Sequence, residues 1–253
     1  MRERLCFRVC GVIALSLLCG CASPAARSPI RLGQHPERLD TTITQRVRCD
    51  YLLYLPQDYA ERKDEERFPL IIFLHGAGER GSDLTMVTRH GPPKLLPDKR
   101  DFPFVVVSPQ CPAEQWWDIT VLSLLLDEVL LRYAVDPDRV YLTGLSMGGY
   151  GTWEWASLQP ERFAAIVPIC GGGRRYAAPR LKNLPIWAFH GAKDTVVSLS
   201  QSQEMVDAIK QAGGDAKLTI YPDATHDSWT RTYDNPELYA WFLKHHRGQP
   251  ARP

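Results

Sequence analysis

Gly144, Ser146 and Gly148, inside the stretch VYLTGLSMGGYGTWEWA, form a G-x-S-x-G pattern. A serine hydroxyl placed this way can attack a carbonyl carbon, provided that a base takes its proton and a carboxylate orients that base. The pattern alone is weak, because a chain of this length contains it by chance about one time in ten. Its setting is stronger. Residues 139–143 read as a short buried strand, and Tyr150 to Leu158 as the start of a helix. Strand, tight turn and helix together are the setting of a nucleophile elbow, whose crowded, strained turn admits only glycine beside the serine. Gly144, Gly148 and Gly149 fall where that crowding is expected.

The rest of the chain supplies elements that can carry such a turn. Apolar runs at 47–56, 69–76, 104–110, 163–171, 185–191 and 217–223 read as further strands, mostly continuous enough to be covered on both faces. Between them, 119–134, the segment after Ser146, 199–213 and 236–246 show helical spacing of apolar residues. Alternation of this kind predicts an α/β fold, a mostly parallel central sheet with helices on both faces.

With that order in place, HGAGERG (75–81), GLSMGG (144–149), HGAKD (190–194) and ATHDSW (224–229) together resemble the α/β-hydrolase superfamily. Within it the chain is similar to exported esterases of the polyhydroxybutyrate-depolymerase and feruloyl-esterase type, the phospholipase/carboxylesterase or "predicted peptidase" group. The likeness covers about residues 45–246 and implies the α/β-hydrolase fold, with catalytic residues in the order serine, acid, histidine.

That order selects among seven histidines. His75, His90 and His190 precede any late base position, His35 lies near the start, and His245 and His246 close the last helix. His226, in the polar loop after the 217–223 strand, is left as the base. Asp194, directly past the 185–191 strand, is the favoured acid over Asp223 and Asp227, which read as turn residues, and Asp215, which sits in a GGDA turn. The oxyanion of a tetrahedral intermediate needs two donors. Met147 N–H, next to the nucleophile, is one; Ala77 N–H is the choice for the other, with Gly78 next, and His75 is expected to anchor their loop.

The link from Gly171 to Leu184 is fourteen residues, too short for a helical cap, so no cap domain and an open cleft are expected. Trp116, Trp117 and Trp229 fall near the catalytic rim as candidate substrate-stacking residues, set against the plain alternative that they bury apolar area. The leading reading is a serine carboxylesterase working through an acyl-enzyme on acylated carbohydrate, aryl or short-chain esters. A serine peptidase of the same fold is the alternative. A lipid-anchored binding protein without turnover is a second, disfavoured by an intact triad.

The 253 residues, 44% of them hydrophobic, can bury a full core and suit one catalytic domain, set at 41–247 with a tail at 248–253. The basic start MRERLCFR and the apolar run after it read as a signal peptide over 1–20. Its end, Leu18-Cys19-Gly20-Cys21, resembles a bacterial lipobox, which makes Cys21 a lipidation site and 21–40 a flexible tether. The implied location is a membrane-anchored, exported protein, at the outer membrane. Removing residues 1–20 takes three Arg and one Glu from a net charge of +1 and leaves −1, which argues against a nucleic-acid partner. Cys49, Cys111 and Cys170 remain as one disulfide plus a thiol or as free thiols. No C-x-x-C or H-E-x-x-H spacing appears, so neither metal nor cofactor is expected.

Overall fold

Among the described residues, seven strands rich in β-branched or aromatic residues make one sheet in the order β1-β3-β2-β4-β5-β6-β7. They are β1 (Tyr51–Tyr54), β2 (Phe68–Leu74), β3 (Val105–Pro109), β4 (Val135–Leu145), β5 (Ala165–Ile169), β6 (Ile186–Gly191) and β7 (Ala216–Tyr221). Only β1 runs antiparallel, pairing with β3; every other neighbouring pair is parallel. The computed structural model describes residues 34, 38–61, 67–99 and 101–249. The signal segment, Cys21 and most of the expected tether lie outside them. Contacts divide the chain into Met1–Gln45 and Arg46–Pro253, and every element named here belongs to the second unit.

Side chains alternate across the sheet, and both sides are buried. Leu70, Ile72 and Leu74 of β2 join one core with Leu122, Leu126 and Val129 of α2 (Ile119–Arg132), Trp153 and Trp155 of α3 (Met147–Leu158), and Met205 and Ile209 of α5 (Leu199–Gln211). Ile71 and Phe73 face the opposite core, with Tyr233 of α6 (Trp229–Asp234) and Leu238 and Phe242 of α7 (Pro236–Leu243). This is why the strands read as continuous apolar runs rather than alternating ones. Burying both faces removes apolar surface from water, the dominant stabilising term for such a fold.

Two shorter helices complete the list, α1 (Gly91–Leu95) and α4 (Ala178–Leu181). The link between β5 and β6 holds only a 3-10 turn, Arg175–Ala177, and α4, whose Leu181 is fully buried in the first core. This link therefore packs down onto the sheet and builds no cap above it. One departure from the sequence-based expectation is β4, which begins at Val135 instead of 139, because Phe68 pairs with Val135 across a register shift before regular pairing starts at Leu70 and Val140. Asp136 and Arg139 pair at 2.6 Å within that irregular start, which a hydrophobic pattern does not reveal.

Candidate active site

The parallel strands end on one rim, and three loops there carry the expected triad. Ser146 follows β4, Asp194 follows β6 and His226 follows β7. Ser146 sits at φ 52° and ψ −114°, a conformation that L-residues rarely adopt and that marks a strained elbow. Its N–H donates to the Ile169 carbonyl at 3.0 Å, which ties the turn to the end of β5. Glycine is obligatory beside it: a Cβ on Gly148 would press into the Leu74 carbonyl oxygen, and one on Gly144 into the Gly148 carbonyl. The backbone of α3 must pass this close to β2 for the serine to project from the rim.

His226 Nε2 lies 3.0 Å from Ser146 Oγ, and its Nδ1 lies 2.7 Å from Asp194 Oδ2. Since the carboxylate can only accept, Nδ1 carries the proton and Nε2 faces the serine as an acceptor. The Asp194 side chain is fully buried, and its other oxygen accepts the N–H groups of Val196 and Val197, both at 2.9 Å. Burial alone would raise its pKa, but the His226 ring and the Val197 and Val196 N–H groups outweigh it and hold the carboxyl below its ordinary range. Asp223 and Asp227 do what turn residues do: Asp223 makes a two-pronged pair with Arg231, at 2.9 and 2.8 Å, and Asp227 accepts the Thr230 N–H at 3.0 Å.

Met147 and Ala77, the two residues expected to supply N–H groups to an oxyanion, each open a helical turn. Met147 is the first residue of α3, so its N–H has no intrahelical acceptor and lies at the positive end of the helix dipole. Ala77 opens the 3-10 turn Ala77–Glu79 on the exposed side of the loop after β2. That loop is held from below. His75 Nδ1 donates to the Gly76 carbonyl at 2.7 Å, and its Nε2 accepts the Cys111 N–H at 3.0 Å. Burial pushes its pKa down to about 4, in keeping with a neutral ring that anchors and transfers no proton.

The sequence reading overlooked the partner of that anchor. Glu79, buried in the same loop, accepts the Gly76 N–H at 3.0 Å and lies 3.7 Å from His90 Nε2. Trp229 donates its indole N–H to His90 Nδ1 at 3.3 Å and packs against His226, so the loop after β2 and His226 are joined through one aromatic ring. A glutamate three residues after the glycine that opens the turn is the signal that marks Glu79 in the sequence.

The three candidate stacking tryptophans separate. Trp116 is 65% exposed and meets Tyr150 edge-to-face at 6.2 Å. Trp117 packs against the first core and against His75, with ring centroids 4.8 Å apart. Trp229 is half-buried over the base. Cys49, Cys111 and Cys170 are all free thiols, and Cys170, just past β5, brings its sulfur within 4.8 Å of the facing Asp194 and His226 atoms. Burial raises the Cys170 thiol to about 12, which keeps it protonated beside the triad.

Residues 120–239 match the model of the Dienelactone hydrolase family. A bifunctional acetylxylan esterase/xylanase from Neocallimastix patriciarum is 28% identical over 204 residues, which span 76% of this chain and 28% of that protein. Poly(3-hydroxyalkanoate) depolymerase C from Paucimonas lemoignei is 42% identical over 51 residues, 20% of this chain and 12% of that one. Among solved structures, a thermostable esterase superposes with a TM-score of 0.68 at 33% identity, covering 78% of this chain and 59% of that one. The chain thus spans less than two thirds of the length of each of these relatives.

Proposed function

We propose, from the premise that this chain belongs to the α/β-hydrolase superfamily, that it is a serine carboxylesterase. The observation that carries the reading is the unbroken line from Ser146 through His226 to Asp194, at 3.0 and 2.7 Å, mounted on a strained elbow.

The geometry supports a two-stage acyl transfer. Ser146 Oγ bonds to the ester carbonyl carbon as His226 Nε2 takes its proton, and the carbonyl π pair becomes an oxyanion facing Met147 and Ala77 N–H. Asp194 stabilises the imidazolium without taking its proton. The oxyanion then re-forms the carbonyl, the C–O bond to the alcohol breaks, and His226 returns the proton to the departing oxygen. Water, deprotonated by His226, repeats the sequence on the acyl-enzyme and releases the acid and free Ser146. Preorganised donors at the oxyanion are worth about 3 kcal/mol each in barrier.

Acylated carbohydrate, aryl or short-chain esters are the proposed substrate class. The uncapped rim and the exposed Trp116 ring suit a substrate that extends past the scissile bond. The acetylxylan esterase relative supports the same class. The proposed location is a membrane anchored through lipid on Cys21, which rests on the sequence pattern alone; palmitate labelling lost in Cys21→Ser checks it.

The test is hydrolysis of p-nitrophenyl acetate to octanoate, methyl ferulate and a peptide anilide by the purified protein and by Ser146→Ala. Ester turnover that vanishes in the variant supports the esterase. Cleavage of the anilide alone transfers the reading to a peptidase, and no cleavage by the wild type removes the enzyme reading.

A further inference from the structure

His190 is a second imidazole on the catalytic carboxylate. It stands in β6, fully buried, with Nε2 3.2 Å from Asp194 Oδ2 and 2.9 Å from the Val197 carbonyl oxygen. Both neighbours can only accept, so Nε2 carries a proton. On the other side Nδ1 lies 2.8 Å from Ser202 Oγ of α5, whose hydroxyl also reaches the Gly171 carbonyl at 2.8 Å. This outer pair fixes the plane of the ring.

Asp194 is therefore enclosed: Oδ2 accepts His226 Nδ1–H and has His190 Nε2 at 3.2 Å, while Oδ1 accepts the Val196 and Val197 N–H groups. The His190 Nε2–H donates to the carbonyl of Val197, whose own N–H binds the carboxylate, so the ring holds the turn that carries Asp194. A polarised N–H this close to a carboxylate oxygen also makes that oxygen a weaker acceptor toward His226. We propose that His190 is a positioning residue for the triad: its Nε2–H, through Val197 and by its closeness to Oδ2, holds Asp194 in line with His226 and sets how strongly the imidazolium is stabilised. It touches no reacting atom, and no proton moves through it. The inference rests on the serine-hydrolase reading of Ser146.

Other ionisable groups near this centre are Cys170 after β5 and Tyr150 of α3, both of which feel the Asp194 charge, and His90, reached through Trp229. Among the described residues, α5 faces His190 with the hydroxyl of Ser202. None of these changes in the variants below.

The first arm compares His190→Leu with His190→Gln, whose amide places an N–H near the original Nε2. Removing the donor makes Asp194 a stronger partner for His226, so the acidic limb of kcat/KM moves to higher pH. It also loosens the carboxylate. The expected result for His190→Leu is kcat lowered about tenfold at unchanged KM with the limb displaced upward, and for His190→Gln recovery of most of both. Equal losses in the two variants with an unmoved limb would reduce His190 to a packing residue and overturn the proposal.

The second arm needs no variant to fold. Imidazole 1H–15N spectra of the wild-type full chain are expected to show His190 protonated at Nε2 across the active pH range; a ring protonated only at Nδ1 overturns the proposal. A wild type that hydrolyses neither ester nor anilide defeats the serine-hydrolase reading instead, and leaves the tautomer result standing on its own.

Discussion

Trp229 meets His226 edge-on, with ring centroids 5.2 Å apart and the planes at 89°. Both nitrogens of the base are committed, one to Ser146 and one to Asp194, so only a contact with the ring itself can steady it without competing for a proton. Trp229 supplies that contact and is itself held through His90. Trp116, by contrast, is exposed and free to meet substrate.

The two tryptophans should therefore fail differently. Trp116→Ala is expected to raise KM several-fold for aryl esters, leave kcat near wild type, and change stability by less than about 0.5 kcal/mol, as surface substitutions do. Trp229→Ala is expected to lower kcat for every ester alike. Steady-state kinetics on acetate and ferulate esters, with thermal melts, separate the two.

Asp194→Asn keeps the shape of the side chain but removes the charge that fixes the His226 tautomer. A fall of about ten-thousandfold in kcat is expected, with KM little changed. Single-turnover hydrolysis of p-nitrophenyl acetate measures it.

Gly148→Ala forces a methyl group against the Leu74 carbonyl, and neither β2 nor α3 can yield without moving the elbow. Loss of at least about 2 kcal/mol of stability is expected, from overpacking against backbone, together with most of the activity. Urea unfolding monitored by tryptophan fluorescence gives the first number and ester turnover the second.

His75 makes the fold sensitive to acid. Its folded pKa, about 4, lies below the ordinary histidine value of 6.5. The unfolded chain therefore binds the proton first, and the stability is fully present above about pH 6.5 and lost as pH falls toward 4. The full difference is about 3 kcal/mol. Unfolding free energies at pH 7.5 and 4.5 should fall more steeply for the wild type than for His75→Gln.

The sheet and the triad were legible because each left a local mark. Continuous apolar runs announced strands covered on both faces, and Ser146, Asp194 and His226 each follow such a run. What did not show was anything made by contact between distant segments. The β1-β3-β2-β4 order depends on how loops cross, and the irregular start of β4 on a pairing with Phe68. Glu79, His90 and His190 acquired their roles only when three loops met on one rim. His190 was passed over for the sound reason that it precedes the acid in sequence; its place beside Asp194 comes from the turn of 191–194, which folds four residues back on themselves. The short helix α6 was also missed, since six residues carry too little periodicity to register.

β7 is the outermost strand on its side of the sheet and the last in the sequence, and His226 follows directly after it. Nucleophile and base can come within reach only when β5 and β6 are already seated between β4 and β7. A half-zipped sheet therefore holds a serine with nothing to deprotonate it. On the proposed esterase reading, hydrolytic competence is the final property the chain acquires and the first it loses when that edge peels away, so turnover would double as a gauge of whether the whole sheet has closed.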